Sequence, residues 1–480
     1  MAKAPMKDMV IILPGIMGSV LQKNGEDLWA ISGKAIWNVL RRTEETISAL
    51  ELGQDDLELD YLEDGIKATK LIADTHLVPG LVKIDGYTQT SRLITENFDV
   101  TIGDIYNDPD DRAANFYHFP YDWRRDNRVN ARILKNLIDK RLKCWREKSG
   151  APYAKVILMA HSMGGLVSRY YLEVLQGWVD TRALFTFGTP YRGSTNGFSF
   201  VANGYKKLFL DLTKVVRSFT SVYQLMPIYP MIKIGDETFR IAEADGLPNV
   251  DKARAQDALA FHREIEAAVE KNLQNEDYNN DFTTVPIVGV SQPTLQSAEL
   301  ADGKVVVSRK LPEILQNRTD LASGDGTVPH ISAIPIELSS SFNNIFIPES
   351  HSALQNHQQI LQDIREKLET VQFSGAADVR NARADAIGLA VDDIYLPDEP
   401  IVLNAEVTSQ TEIGSLQAVV TAVADEKTVL TLPFEQQSQA QWQLGIDALP
   451  AGLYRVAVST QGDRVSGPSP VHNLFEVAGR

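Results

Sequence analysis

Ser162 stands in the stretch "AHSMGG" (160–165), directly after the apolar run "KVILM" and directly before the helix-like "LVSRYYLEVL". A serine hydroxyl serves as a nucleophile when a tight turn lifts it to a sheet edge and a helix begins just beyond it. The helix N-terminus then aims backbone N–H groups at a developing oxyanion. Such a turn needs small residues two before and two after the serine, which Ala160 and Gly164 supply. Glycine is the usual residue at the first position, so Ala160 leaves a plain strand–helix corner as the alternative. A nucleophilic serine also requires an acid and a base, arranged in this fold type in the order Ser…Asp…His. Asp325, flanked by glycines in "ASGDGTVP", and His351, in "ESHSAL" after the strand-like "NNIFIP", meet that order. Asp325 would fix the imidazole tautomer while His351 removes the Ser162 proton. His330 follows Asp325 by too few residues to be its partner, and His357 falls in a helical stretch as a packing or surface residue. His161, in the variable position of the turn, carries no sign of catalysis. The loop "LPGIMGS" (13–19) suits a second oxyanion donor, with the N–H of Ile16 facing that of Met163.

These side chains need a scaffold, and the hydrophobic pattern provides one. Strand-like runs at "MVIIL", "NFYHF", "AKVILMA", "ALFTFG", "VPIVGV" and "NNIFIP" alternate with helix-like segments. Continuous apolar strands separated by helices predict an α/β fold, a mostly parallel sheet covered on both faces. Residues 191–280 interrupt the rhythm and read as an inserted cap without a strong strand. Within it, "YKKLFLDLTKVVRSF" (205–219) sets Lys206, Lys207, Lys214 and Arg217 against Asp211. That is either a lid that touches lipid headgroups or an ordinary cap helix with a solvated basic face. The adjoining "SVYQLMPIYPMI" (221–232) offers Leu225 and Met226 as substrate contacts. The divisions read from this pattern are 1–372 for the α/β domain, 373–395 for a linker and 396–480 for an all-β module. Six short alternating runs with turn residues between them make the last an immunoglobulin-like sandwich. His472 reads there as an exposed strand histidine.

The chain of 480 residues is too long for one ordinary core. Its formal charge of −16 opposes binding to nucleic-acid phosphates. The single cysteine, Cys144, lies in a helical pattern and excludes an internal disulfide. No run approaches the length of a membrane span and the N-terminus lacks a signal-peptide pattern. The expectation is a cytoplasmic protein, peripheral to a membrane at most. No metal or cofactor site is expected, and the β module is a candidate surface for a partner protein or self-association.

Five motifs in order, "LPGIMGS", "FPYDWRRD", "AHSMGGL", "GTPYRGS" and "GDGTVP", followed by a late histidine, resemble the lecithin:cholesterol acyltransferase family. The resemblance covers roughly residues 8–372 and implies an α/β-hydrolase fold with a capped lipid site. On it, Ser162, Asp325 and His351 match the triad positions, and Ile16 and Met163 the oxyanion positions. It also implies that "YDWR" lines the acyl side of the site, through Tyr121 and Trp123; a buried aromatic strand end is the equal alternative. The absence of the family's disulfides and signal suggests an intracellular bacterial-type branch. The implied activity is a lipid ester hydrolase or acyltransferase of phospholipase A or lipase type. Alternatives are a soluble carboxylesterase or thioesterase, and a non-catalytic adaptor that uses the β module.

Overall fold

The computed structural model describes residues 3–29, 48–72, 76–78, 82–84, 86–207, 210–338, 345–371, 386–397, 399–408, 414–438, 440–461, 468 and 470–478. Trp37, Asn343 and Asn344 of the last core strand, residue 372, and residues 373–385 of the expected linker lie outside them.

Six parallel strands form the core sheet: β1 (Met9–Leu13), β2 (Phe116–His118), β3 (Val156–His161), β4 (Thr181–Phe187), β5 (Thr283–Gly289) and β6 (Ile345–Ile347). Their order is β6-β5-β4-β3-β1-β2. Every side chain of β1 and β3 is buried, as expected of central strands covered on both faces. From β1 the chain moves one way to β2, and from β3 it moves the other way through β4, β5 and β6. The reversal falls between β1 and β3, and ligands in open α/β sheets bind outside the carboxyl ends at such a point. The "LPGIMGS" loop leaves β1 and Ser162 leaves β3, so both emerge there. Ala160 is fully buried and in register with Leu13 on one side and Thr186 on the other.

Helix α1 (Thr88–Asn97) and helix α2 (Asn127–Lys148) precede the Ser162 strand. Asp126 caps α2 by accepting from the Arg128 N–H, and Arg146 and Lys148 lie at its negative end. Cys144 is buried in it. Helix α3 (Met163–Arg169) starts immediately after Ser162.

Above the carboxyl edge sit helices α4 (Thr195–Ala202) and α5 (Lys252–Asn272) with shorter helical turns between. Besides the two-residue pair Lys206–Lys207 and Leu210–Asp211, the insert expected without strong strands contributes two short ones, Ile232–Ile234 and Glu237–Phe239. These join Ser297–Ala301 and Lys304–Ser308 in a four-stranded sheet. The basic residues of the cap are largely engaged. Lys214 pairs with Glu51 at 2.9 Å, Lys206 with Asp211 at 3.5 Å, and Arg217 donates to the Val201 carbonyl at 2.8 Å. The Lys207 side chain is outside the described atoms.

After helix α6 (Gln358–Val371) the chain becomes all-β. Among the described residues its nine strands run from β7 (Ala386–Ala390) and β8 (Ile394–Tyr395) through β9 (Ile401–Thr408), β10 (Ser415–Ala422) and β11 (Lys427–Pro433). They continue as β12 (Glu435–Gln436), β13 (Gln441–Ile446), β14 (Gly452–Gln461) and β15 (Val471–Val477). Two sheets result, β7-β9-β13-β12 and β8-β15-β14-β10-β11, antiparallel except where β8 meets β15. Their facing side chains, among them Leu403, Trp442, Val456 and Phe475, form a separate core. All six runs read from the alternation are strands, and β7 and β8 add two more inside the 373–395 segment read as linker.

Candidate active site

Ser162 has a φ of 51° and a ψ of −124°, a strained backbone for a residue with a side chain. Strand and helix hold it there. Its N–H donates to the Phe187 carbonyl of β4 at 2.8 Å, and its own carbonyl accepts from Thr189 Oγ1 at 2.9 Å. The hydroxyl sits 2.9 Å from His351 Nε2, and His351 Nδ1 sits 2.7 Å from Asp325 Oδ2. The other Asp325 oxygen accepts from the N–H groups of Thr327 (2.9 Å) and Val328 (2.7 Å), which aims the carboxylate. The His351 N–H donates to the Asp325 carbonyl at 2.8 Å, so acid and base are also tied through the backbone. With Asp325 accepting from Nδ1–H, Nε2 is free to accept the serine proton.

Close approach of backbone makes this possible at Gly15 and Gly188. A Cβ on Gly15 would come within 2.9 Å of the Ser162 Cβ. Gly188 has a φ of +57°, and a Cβ there would lie 2.8 Å from both Asp325 Oδ2 and His351 Nδ1.

Two residues that the sequence reading passed over organise the site. His161 is buried, and burial, with the His351 imidazole adding to it, pushes its pKa down to about 3. Its Nε2 lies 3.1 Å from the His351 carbonyl, an acceptor, so that nitrogen carries the hydrogen. Nδ1 therefore accepts from the Tyr87 hydroxyl at 3.0 Å, and the Tyr87 oxygen accepts from the Gly15 N–H at 2.9 Å. A chain of neutral hydrogen bonds thus connects the loop after β1 to the histidine loop.

Ile16 and Ser162 line an apolar cavity of about 70 Å³, and Met163 follows Ser162 as the first residue of α3. The cap closes the cavity with Phe200, Val216, Val222 and Leu225. Tyr121, Trp123 and Met226 are not on its wall, which corrects the expectation of substrate contact there. Tyr121 donates from its hydroxyl to the Pro14 carbonyl at 2.8 Å, and Trp123 Nε1 donates to the Ser19 carbonyl at 3.0 Å. Both aromatic residues are buried behind the "LPGIMGS" loop and brace it. Met226 lies buried deeper in the cap. Arg124 and Arg125 of the same motif bind Asp122, Asp64 and Asp55, pinning residues 55–64 to the core.

The β module reaches the histidine loop. Glu349, two residues before His351, is fully buried and lies 2.8 Å from His472 Nδ1. Its other oxygen accepts from the His472 N–H (2.9 Å) and the Ser350 N–H (2.7 Å), and Ser350 Oγ donates to the His472 carbonyl at 2.6 Å. His472, read as an exposed strand histidine, is a contact between domains. Strand alternation alone could not reveal this, because the partner is 123 residues away.

Residues 106–329 match the family model of lecithin:cholesterol acyltransferase. Over that stretch, just under half of the chain, the sequence is similar to this family. The matched acyltransferase-like region contains Ser162 and Asp325, while the Gly15 loop and His351 lie outside it and are joined to it by the geometry above. Solved structures similar to the chain include the Bacillus licheniformis lipase BlEst2 in two forms. The mature form has 11% identity over 76% of this chain and 94% of that one, with a TM-score of 0.29. The propeptide form has 10% identity over 99% and 95%, with a TM-score of 0.31. The CARDB domain of the PF1109 protein from Pyrococcus furiosus has 10% identity over 19% of this chain and 90% of that one, with a TM-score of 0.15. No curated protein matches the chain. At such TM-scores the fold rests on the strand order and registers described above. Among the described residues, no helix is long and apolar enough to cross a membrane.

Proposed function

We propose that the chain is a serine-dependent lipid ester hydrolase or acyltransferase that works through an acyl-enzyme on Ser162. The observation that carries this reading is the hydrogen-bonded series Asp325–His351–Ser162 opening into an apolar cavity under a cap. The match to the lecithin:cholesterol acyltransferase family supports the same class.

Ser162 Oγ attacks the ester carbonyl carbon as its proton passes to His351 Nε2. The carbonyl oxygen, now an oxyanion, is received by the N–H groups of Ile16 and Met163. The C–O bond to the alcohol breaks, and the alcohol leaves with the proton from His351. Water or a second alcohol, deprotonated by His351, then attacks the acyl-enzyme and releases Ser162. Asp325 stays ionised throughout and stabilises the imidazolium.

A soluble carboxylesterase is the second reading, favoured by the narrowness of the apolar cavity, about 70 Å³. The test is labelling by a fluorophosphonate, followed by lipidomics with mixed phospholipids, short-chain esters and an alcohol acceptor. Ser162→Ala is expected to abolish labelling and to lower turnover about 10⁴-fold or more. Turnover that survives Ser162→Ala, or a wild type that does not label, refutes the catalytic reading in favour of an adaptor. Turnover confined to short soluble esters favours the carboxylesterase.

A further inference from the structure

A second, larger cleft of about 510 Å³ opens between the α/β domain and the β module, a size ordinary for small-molecule sites. It meets the apolar cavity at three residues that border both, His351, Asn196 and Thr327. We propose that this cleft is the subsite for the alcohol portion of the reaction, and that it takes a neutral polyhydroxy alcohol such as a glycerol or sugar unit. The inference rests on the acyl-enzyme reading above and adds to it the identity of the leaving or accepting group.

Position gives the first argument. The alcohol oxygen must lie beside His351 Nε2 in both half-reactions, since the same nitrogen protonates the leaving alcohol and deprotonates the acceptor. The acyl chain takes the apolar side of His351, which leaves the alcohol the other side, where the cleft lies.

The lining gives the second. Asn196 and Arg309 come from the α/β domain, and Asp392, Asp393, Asn404 and Asn473 from the β module. Among the described residues the Asn196 carboxamide makes no hydrogen bond and Arg309 has no ion pair, so both are available to a ligand. Mixed donors and acceptors suit hydroxyl groups, each of which both donates and accepts. With one guanidinium against three carboxylates, Asp325, Asp392 and Asp393, the lining disfavours a phosphate, and its polarity disfavours a sterol or long-chain alcohol.

The wall that the β module supplies is firmly seated. The Gln292 carboxamide donates to the Ile387 carbonyl and accepts from the Leu389 N–H, each at 3.1 Å, and Glu349 and Ser350 hold His472. A Cβ on Gly388 would lie 2.5 Å from the Ser291 carbonyl, so strand β7 packs backbone to backbone against the loop after β5.

The test uses the full chain with a short p-nitrophenyl ester as acyl donor. Glycerol, methyl glucoside, 1-propanol and glycerol 3-phosphate compete with water as acceptors. Release of p-nitrophenol reports acylation, and mass spectrometry of the products reports where the acyl group goes. The expectation is that glycerol and methyl glucoside capture the acyl group about 3- to 10-fold better per mole than propanol or glycerol 3-phosphate, the span of one or two hydrogen bonds. Asn404→Leu and Arg309→Leu, both at exposed positions, should each lower the glycerol-to-propanol ratio by a similar factor. Equal capture of glycerol and propanol, preference for the phosphate, or an unchanged ratio in both variants overturns the subsite. Absence of p-nitrophenol release together with absence of fluorophosphonate labelling is a different signal, and it refutes the acyl-enzyme reading along with the subsite.

Discussion

Tyr87 holds two partners at once, the Gly15 N–H and His161 Nδ1, and each would be buried and unpaired without it. Leaving such groups unsatisfied costs about 1–3 kcal/mol apiece. Tyr87→Phe keeps the ring and removes only the hydroxyl, so the fold should survive with a lower melting temperature. The loop after β1 loses its tether, and kcat is expected to fall about 10-fold with KM little changed, as measured by steady-state hydrolysis of a p-nitrophenyl ester. An unchanged kcat would show that Gly15 is placed by the aromatic brace of Tyr121 and Trp123 alone. Chemistry explains why Ser162, Asp325 and His351 stood out in the sequence as candidates while Tyr87 and His161 did not. A nucleophile, acid and base on this scaffold follow a fixed order along the chain, and Ser162 and His351 come just after core strands. A hydroxyl that bridges a loop and a buried histidine has no required spacing: Tyr87 and His161 are 74 residues apart.

At the scale of elements, the loop between β6 and α6 carries His351, the proposed base, and it is held from both sides. Gly188, after β4, lies against Asp325 and His351 with a left-handed backbone. Gly188→Ala would push a methyl group between acid and base and add about 1–2 kcal/mol of backbone strain. A loss of kcat of about 100-fold or more is expected, while circular dichroism remains native. From the other side, Glu349 binds His472 of β15. Glu349→Ala empties a buried site that serves three donors and should lower kcat at least about 10-fold. Glu349→Gln keeps one acceptor oxygen, and its amide can donate to His472 in the alternate tautomer, so activity should return at least in part. Equal loss in both variants would mean that the charge matters more than the loop's position. The core-sheet strands and six strands of the β module were legible because burial on two faces gives continuous apolar runs and burial on one face gives alternation, whereas the short strands of the cap and β7 and β8 carry too few residues to show either pattern. The seating of the β module on the histidine loop was not, because Gln292, Glu349 and His472 are single polar residues whose partners lie far along the chain.

Over the whole molecule, histidine burial sets the response to acid. His118 and His262 are pushed down to about 4 and His161 to about 3, in each case chiefly by burial, from 6.5. Between those values and 6.5 the unfolded chain binds protons on these rings and the folded chain does not, so unfolding takes up protons and stability rises with pH. Acidification from pH 7 to pH 5 therefore costs stability, with an upper bound of about 1.4 kcal/mol per pH unit for each histidine fully inside its window. Burial raises the Asp126 and Glu173 carboxyls, and these act in the opposite direction, binding protons in the folded state first. Burial lowers His357 as well, so four histidines against two carboxyls should leave a net decline, with the urea midpoint lower at pH 5 than at pH 7. Calorimetric unfolding in buffers of different ionisation enthalpy should report net proton uptake near pH 5.5. Net release there would mean that the buried carboxyls dominate. His161 couples this global effect to the site, because protonating Nδ1 would turn the acceptor of the Tyr87 hydroxyl into a second donor and break the chain to Gly15. Loss of activity from that step alone should appear only near pH 3, below the pH at which His118 and His262 have already weakened the fold.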